Sequence, residues 1–333
     1  MNPESAETPL VSFCVKCYNQ ERYIGEALEG AFAQTYRPLE IVISDDASTD
    51  RSWQIITESV AEYRRRPDAA EVVLNRNSSN KGNLGNWLAI CSLAKGELLV
   101  KADGDDISMP DRAERIVDAW RTDGGRAVVV SHSGMLMGPH GQCMGPMRMV
   151  SASAPAGAVM AFHRHIHEIF GGAEDLQIVD DELFAWRASM IGTEIVMQDR
   201  LVRYRLGTGV SNSLWRIREP MICGRRDLLK AIRQARCDLV KVRGMMTADV
   251  MNGWKARLDA AEARAVAELR LFDGKTFAER REGFRRIEPV RLLSVWQFFK
   301  CAYLLPRPMG DGLLFCYAVV RYVMRRAKGV LGL

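Results

Sequence analysis

Lys101-Ala102-Asp103-Gly104-Asp105-Asp106-Ile107-Ser108-Met109-Pro110-Asp111-Arg112 is the stretch on which the reading of this chain turns. It follows a β-rich run and sets three carboxylates, Asp103, Asp105 and Asp106, within four positions. Carboxylates so crowded destabilise a folded turn unless a positive charge sits among them, and a hard divalent cation with oxygen ligands answers that need best. A cation held there would also neutralise a diphosphate. Gly104 permits a tight turn and leaves room for a ligand against the backbone. A solvated acidic turn capping the next helix is the alternative, and the buried type of the strand before the cluster argues against it.

Outward from this cluster, short β-rich runs alternate with helical stretches up to about residue 130, the pattern of βαβ units and a mostly parallel, doubly wound sheet. Strands are expected at 11–17, 39–44, 71–75, 97–102 and 127–131. Between the first two, Ile24, Leu28, Ala31 and Phe32 recur at helical spacing, and Ser48 with Asp50 is placed to cap a helix entered at Arg51 and Ser52. Polar residues follow the strands: Cys17-Tyr18-Asn19, Asp45-Asp46, Asn80-Lys81-Gly82-Asn83 and the acidic cluster itself. Ligands of open α/β sheets bind outside the carboxyl ends of the strands, so the site is expected along that edge.

With 333 residues, 26% charged and 47% hydrophobic, the chain has a globular composition and room for one large domain with an appendage or two modest ones. The net charge of +5 conceals an asymmetry: residues 215–333 carry 25 basic and 12 acidic side chains, hence +13, and residues 1–214 carry −8. Two regions are therefore expected, an α/β domain over 1–214 and a helical, basic region over 215–333. The acidic part is a poor nucleic-acid surface, while the basic part suits phosphates or an anionic membrane. Eight scattered cysteines show no disulfide spacing, and Met1 to Pro9 carries Glu4 and Glu7 without an apolar core, so a cytoplasmic protein is expected. Cys14 and Cys17 spell CxxC, but three positions apart on a strand they face opposite ways.

Residues 134–158, rich in Gly, Pro, Met and Ser, read as loop or hairpin, and 225–243 and 253–271 read as helices. The apolar stretches 292–306 and 313–324 fall short of a membrane span. In the second, Arg321, Arg325 and Lys328 share one face while Phe315, Val319, Val323 and Val330 gather on the other. Peripheral contact with the inner face of the cell membrane and packing on the chain's own domain both fit that pattern.

The ordered series Pro9-Leu10-Val11-Ser12 to Tyr18-Asn19, Asp45-Asp46-Ala47-Ser48-Thr49-Asp50, Asn80-Lys81-Gly82, and Ala94-Lys95-Gly96-Glu97 running into Asp103-Gly104-Asp105-Asp106 resembles the family 2 glycosyltransferases of the GT-A fold. The resemblance covers roughly residues 9–213. It extends through Gly157-Ala158-Val159-Met160-Ala161-Phe162-His163-Arg164, Phe170-Gly171-Gly172 and Asp180-Asp181-Glu182-Leu183. It implies a Rossmann-like α/β fold and an inverting transfer from a nucleotide diphosphate sugar, UDP-linked, to a glycan or lipid-linked acceptor of bacterial surface-polysaccharide assembly, with Mn²⁺ or Mg²⁺ as cofactor. Residue by residue, it implies that Asp46 contacts the base with Asp45 supporting the loop, that Tyr18, Asn19 and Lys81 lie near the nucleotide, and that Asp105 is the principal metal ligand of a DxD motif. Asp103 would share the metal or meet the ribose and donor sugar. Asp181 takes the general-base position when counted back from Arg187 to Gly192, and Asp180 takes it when counted from Leu183. Many relatives carry a histidine where this chain has Gly207, which passes the diphosphate contact to Arg203 or Arg205.

Other chemistries find little support. No GxGxxG follows the first strand, Gly274-Lys275-Thr276 lacks the preceding glycine of a phosphate loop, and His163, His165 and His167 alternate in a way that fits no zinc spacing. A non-catalytic nucleotide-sugar-binding or scaffold protein of the same fold is the alternative to the enzyme. Nucleic-acid binding by the basic tail is a poorer one, because its aromatic residues cluster with aliphatic ones.

Overall fold

The computed structural model describes residues 8–147, 157–206 apart from 177 and 179, and 218–282 apart from 274, 277, 280 and 281. Strands β1 (Val11–Cys17) and β2 (Leu39–Asp45) are buried along their whole length. On β1, Val11, Phe13, Val15 and Cys17 face an apolar core shared with α1 (Ile24–Phe32), α2 (Ser52–Tyr63) and α4 (Arg112–Thr122). The alternate positions, Ser12, Cys14 and Lys16, face the other side, where α3 (Gly82–Leu93) and α6 (Asp180–Ile191) are reached. Strand β4 (Leu98–Asp103) repeats this division, with Leu98, Val100 and Ala102 in the apolar core and Leu99, Lys101 and Asp103 opposite.

The remaining strands are β3 (Glu71–Arg76), β5 (Ile107–Ser108), β6 (Ala127–Met137), β7 (Cys143–Pro146), β8 (Met160–His163) and β9 (Thr193–Arg205), and α5 spans His165–Phe170. The sheet runs β3-β2-β1-β4-β8-β6-β9-β5, with β7 on β6. Pairing is parallel from β3 to β4 and between β6 and β9, but antiparallel at β4–β8, β8–β6, β6–β7 and β9–β5. A mostly parallel sheet is thus correct for one half only. The four-residue β8 enters antiparallel between β4 and β6 and turns the sheet mixed.

Strand ends differ from expectation by a residue or so, except that β6 continues to Met137 and forms with β7 the hairpin expected after residue 134. At α2, Asp50 Oδ1 accepts the Ser52 N–H at 2.9 Å, whereas Ser48 Oγ accepts from Asn19 N at 2.9 Å, so only one of the two expected caps serves the helix. Cys14 and Cys17 are buried free thiols on one strand.

The chain divides into two units, Met1–Thr208 and Gly209–Leu333. In the second, α7 (Arg218–Lys241) and α8 (Ala248–Asp273) form a helical hairpin. Ala231, Ile232, Ala235 and Leu239 are buried on α7, and Leu258, Ala265 and Leu271 on α8. Arg236 pairs with Asp259 and Glu262 of α8, each at 2.7 Å. Among the described residues no helix is long and apolar enough to cross a membrane. The apolar stretches from residue 292 onward lie outside the described residues.

Candidate active site

The acidic turn is fixed from both sides. Gly104 N donates to Lys16 O at 2.9 Å, and a Cβ on Gly104 would stand 2.5 Å from Gln20 Oε1 and 3.1 Å from Lys16 O, which explains the glycine between the carboxylates. From the other side Arg205 closes over the turn. Its backbone N–H donates to Asp106 Oδ1 at 2.7 Å and its Nε to Asp105 O at 2.9 Å, while the guanidinium tips reach Pro139 O at 3.1 Å and Glu26 Oε2 at 2.8 Å. The same group lies 4.6 Å from the Tyr23 ring centroid. Arg205 is 3% exposed with its donors committed to the protein, which gives it a clamping role on the turn; Arg203, in contrast, is exposed and, among the described residues, its side chain donates to Gly141 O at 3.3 Å.

Burial, and then the charges of Asp105 and Asp103, push the Asp106 carboxyl well above the usual range. Asp103 Oδ1 is buried and receives no hydrogen bond, facing Lys16 Nζ at 3.3 Å. Among the described residues no three His, Cys, Asp or Glu side chains are grouped to hold a metal ion. Asp103 and Asp105 do offer hard oxygen donors amid surplus negative charge, which fits a divalent cation that completes its shell with water and substrate phosphates.

At the end of β2, Asp45 Oδ2 accepts from Ser48 N at 3.0 Å and meets Arg76 Nε at 3.4 Å. Asp46 Oδ1 accepts from Asn77 Nδ2 at 2.7 Å and from the Lys81 backbone N–H at 2.9 Å, which leaves the Lys81 side chain exposed. Asn19 Oδ1 in turn accepts from Thr49 N at 2.8 Å, pinning the loop after β1 to the loop after β2. Both loops carry a non-glycine residue at positive φ, Asn19 at 51° and Ala47 at 59°. Tyr18 stands exposed beside them. Sequence reasoning missed the buried amides beneath Asp46, where Asn77 Nδ2 also donates to Asn86 Oδ1 at 3.2 Å and Ser44 Oγ donates there at 2.5 Å.

Helix α6 brings two adjacent carboxylates to the polar face of β1 and β4. Asp180 is buried, and its Oδ2 lies 2.6 Å from Lys101 Nζ and 2.8 Å from Lys16 Nζ. Lys16 also donates to Asn83 Oδ1 at 2.6 Å. Asp181 accepts from the same Lys101 ammonium but keeps 19% of its side chain exposed. Burial raises the Asp180 carboxyl, yet the charges of Lys101 and Lys16 outweigh it and hold this group below the usual range. Burial and the neighbouring Asp180 charge push Asp181 the other way, upward. Two adjacent carboxylates driven apart in this way are suited to different roles, one a fixed anion and the other a proton acceptor. Behind them Arg187 donates to Gly171 O at 3.0 Å and Gly172 O at 2.7 Å, which holds the loop before the helix.

The structure therefore gathers Asp103, Asp180 and Asp181 around two buried lysines that sequence reasoning did not single out, with Asp105 two residues on from Asp103 in the acidic turn. The alternating histidines serve separate partners: His163 faces Glu97 at 3.5 Å, His165 faces Glu168 at 2.7 Å and His167 faces Ser92 at 3.3 Å.

A model described as glycosyl transferase family 2 matches residues 12–136. Over that stretch the chain is similar to that family. The chain is 35% identical over 109 residues to the putative glycosyltransferase EpsE of Bacillus subtilis, covering 33% of this chain and 37% of that protein. Over 97 residues it is 34% identical to the Escherichia coli protein named UDP-Glc:alpha-D-GlcNAc-diphosphoundecaprenol beta-1,3-glucosyltransferase WfaP, covering 29% of this chain and 36% of the other. The chain thus spans about a third of the length of these curated relatives. Among solved structures, the mannosyltransferase PcManGT of Pyrobaculum calidifontis, in complex with GDP-Man and Mn²⁺, superposes with a TM-score of 0.56 at 18% identity, covering 98% of this chain and 88% of that one. S. aureus TarS 1–349 with UDP-GlcNAc gives 0.51 at 17% identity over 96% and 90%. The glycosyltransferase domain has the GT-A fold.

Proposed function

We propose that this chain is an inverting, hexosyltransferase-like enzyme that moves a sugar from a nucleotide diphosphate sugar, UDP-linked, to a hydroxyl of a glycan or lipid-linked acceptor in surface-polysaccharide assembly. The observation that carries this reading is the pair on α6: Asp181, raised in basicity and partly open to solvent, stands one lysine away from the strand that ends in the acidic turn. Asp46 and its amide support would hold the base, with Asp45, Tyr18, Asn19 and Lys81 around it, and Arg203 is the exposed cation available to the diphosphate. Asp105 and Asp103 would hold Mn²⁺ or Mg²⁺, which when bound neutralises the diphosphate leaving group.

In the step itself Asp181 takes the proton of the acceptor hydroxyl. The oxygen attacks the anomeric carbon from the face opposite the diphosphate, the bond from that carbon to the phosphate oxygen breaks, and the nucleoside diphosphate leaves with the electron pair. Asp180, enclosed between two ammoniums, stays ionised and takes no proton. We assign donor binding and catalysis to residues 1–214 and acceptor or membrane contact, at the inner face of the cell membrane, to the basic region 215–333.

Purified protein incubated with UDP-glucose, UDP-GlcNAc or GDP-mannose, with and without Mn²⁺ and a lipid extract, tests this reading. Metal-dependent release of nucleoside diphosphate is expected with a UDP-linked donor. Binding without release under every condition replaces the enzyme by a nucleotide-sugar-binding scaffold.

A further inference from the structure

A lysine in a protein interior carries a desolvation cost that only close, well-placed counter-charges offset. This domain holds two, on adjacent strands and on one face of the sheet. Parallel pairing sets Lys16 of β1 opposite Asp103 of β4, and Cys14 opposite Lys101, so the two ammoniums project together toward the first turn of α6. The result is a continuous file of alternating charge: Asp103, Lys16, Asp180, Lys101, Asp181, with separations of 3.3, 2.8 and 2.6 Å and a final direct bond. Lys101 is buried, its Nζ 5.7 Å from the Trp87 ring centroid and in contact with both Asp180 and Asp181.

Stability alone does not call for this file, because buried ion pairs are commonly matched or surpassed by apolar packing of similar volume. What the file supplies is direction. The Asp181 side chain rotates about two torsions, and its bond to a lysine that is itself locked by Asp180 restricts that rotation while 19% of the side chain remains exposed. Asp103, at the other end, belongs to the acidic turn.

We propose that Lys101 is a positioning residue of the transfer, fixing the Asp181 carboxylate relative to the acidic turn through the Asp180–Lys16–Asp103 file. This rests on the glycosyl-transfer reading above. Lys101 touches no reacting atom; it acts by holding the proton acceptor in one orientation, and a misplacement of the order of 1 Å at such a group costs about 10²-fold in rate.

The test uses the full chain with Lys101→Met/Asp180→Asn, which removes an ammonium and its counter-charge together and so leaves neither orphaned; Lys16 keeps Asn83 and Asp103. Four quantities are compared with the parent: thermal midpoint, UDP binding with Mn²⁺, carbodiimide labelling of Asp181 read by mass spectrometry, and the kcat and KM of nucleoside diphosphate release with whichever donor the parent turns over. Expected are parental UDP binding, faster labelling of Asp181, and kcat lower by about 10²-fold at unchanged donor KM. Unchanged labelling overturns the tether. Parental kcat in the double variant overturns the positioning role while leaving glycosyl transfer intact, and a parent inactive on all donors removes the glycosyl-transfer reading and this proposal with it.

Discussion

Asp180 and Asp181 are neighbours in sequence with opposite chemistry, and substitution separates them. Asp181→Asn is expected to lose about 10²–10⁴-fold in kcat, the usual contribution of a general base, with UDP binding unchanged. Asp180→Asn leaves two buried ammoniums short of their anion and is expected to cost about 3 kcal/mol, read as a lower thermal midpoint. Should the folded Asp180 variant prove the less active of the two, the base assignment is reversed. Asp105→Ala is expected to abolish both Mn²⁺-dependent UDP binding and release while the circular dichroism spectrum stays parental; release that persists with EDTA present would contradict the metal role. At this scale the acidic turn was legible because acidic residues crowded at a strand end repel one another and call for a cation among them, whereas Asp180 and Asp181 were reached only through the family resemblance. Lys16 and Lys101 were not, because a lysine in a strand ordinarily marks the solvent side, and only its setting among wholly apolar neighbours hinted otherwise. The resemblance offered Arg203 or Arg205 for the diphosphate contact, and burial against Asp105 O, Glu26 and Tyr23 makes Arg205 a clamp on the turn.

The junction of α4 with β6 carries another buried cation. Arg112 Nη2 donates to Lys101 O at 2.7 Å and Ala158 O at 2.8 Å, Nη1 to Ser108 Oγ at 2.9 Å, and Nε to His132 Nε2 at 2.9 Å. Burial brings its pKa down to about 9, so it remains charged at neutral pH. His132 must then accept at Nε2 and donate from Nδ1 to Ser133 O at 2.7 Å. Burial, reinforced by the Arg112 charge, holds this imidazole well below its ordinary value of 6.5. The unfolded chain therefore binds a proton near pH 6.5 that the folded chain refuses, and stability is lost as the pH falls below that point. A thermal midpoint that declines from pH 7 to pH 5, less steeply in His132→Gln, is the expected outcome; identical slopes would assign the decline to other groups. Among the elements, β1 to β4 were legible from their apolar runs and turn residues. The short β8 and the long β9, whose exposed and buried positions alternate unevenly, were not, and with them the antiparallel half of the sheet escaped notice.

Across the whole molecule the charge asymmetry is the feature with the plainest experimental handle. If the basic region meets an anionic leaflet, the chain floats with vesicles containing phosphatidylserine, remains behind with neutral ones, and is released by salt, because each surface cation near such a leaflet contributes about 1 kcal/mol. Equal flotation on both kinds of vesicle would favour an uncharged mode of attachment. The charge file in the glycosyltransferase domain bears on something different, the order of events during synthesis. Lys16 leaves the ribosome 164 residues ahead of Asp180, and Glu26 leaves 179 residues ahead of Arg205. At elongation rates of about 5–20 residues per second that is an interval of roughly 10–30 s. Until α6 arrives, closing β1 against β4 would bury Lys16 and Lys101 without the Asp180 carboxylate they share, which disfavours that closure. A chain truncated before Asp180 is therefore expected to be cleaved by protease faster than the full chain, its apolar strands less well covered while the shared anion is missing.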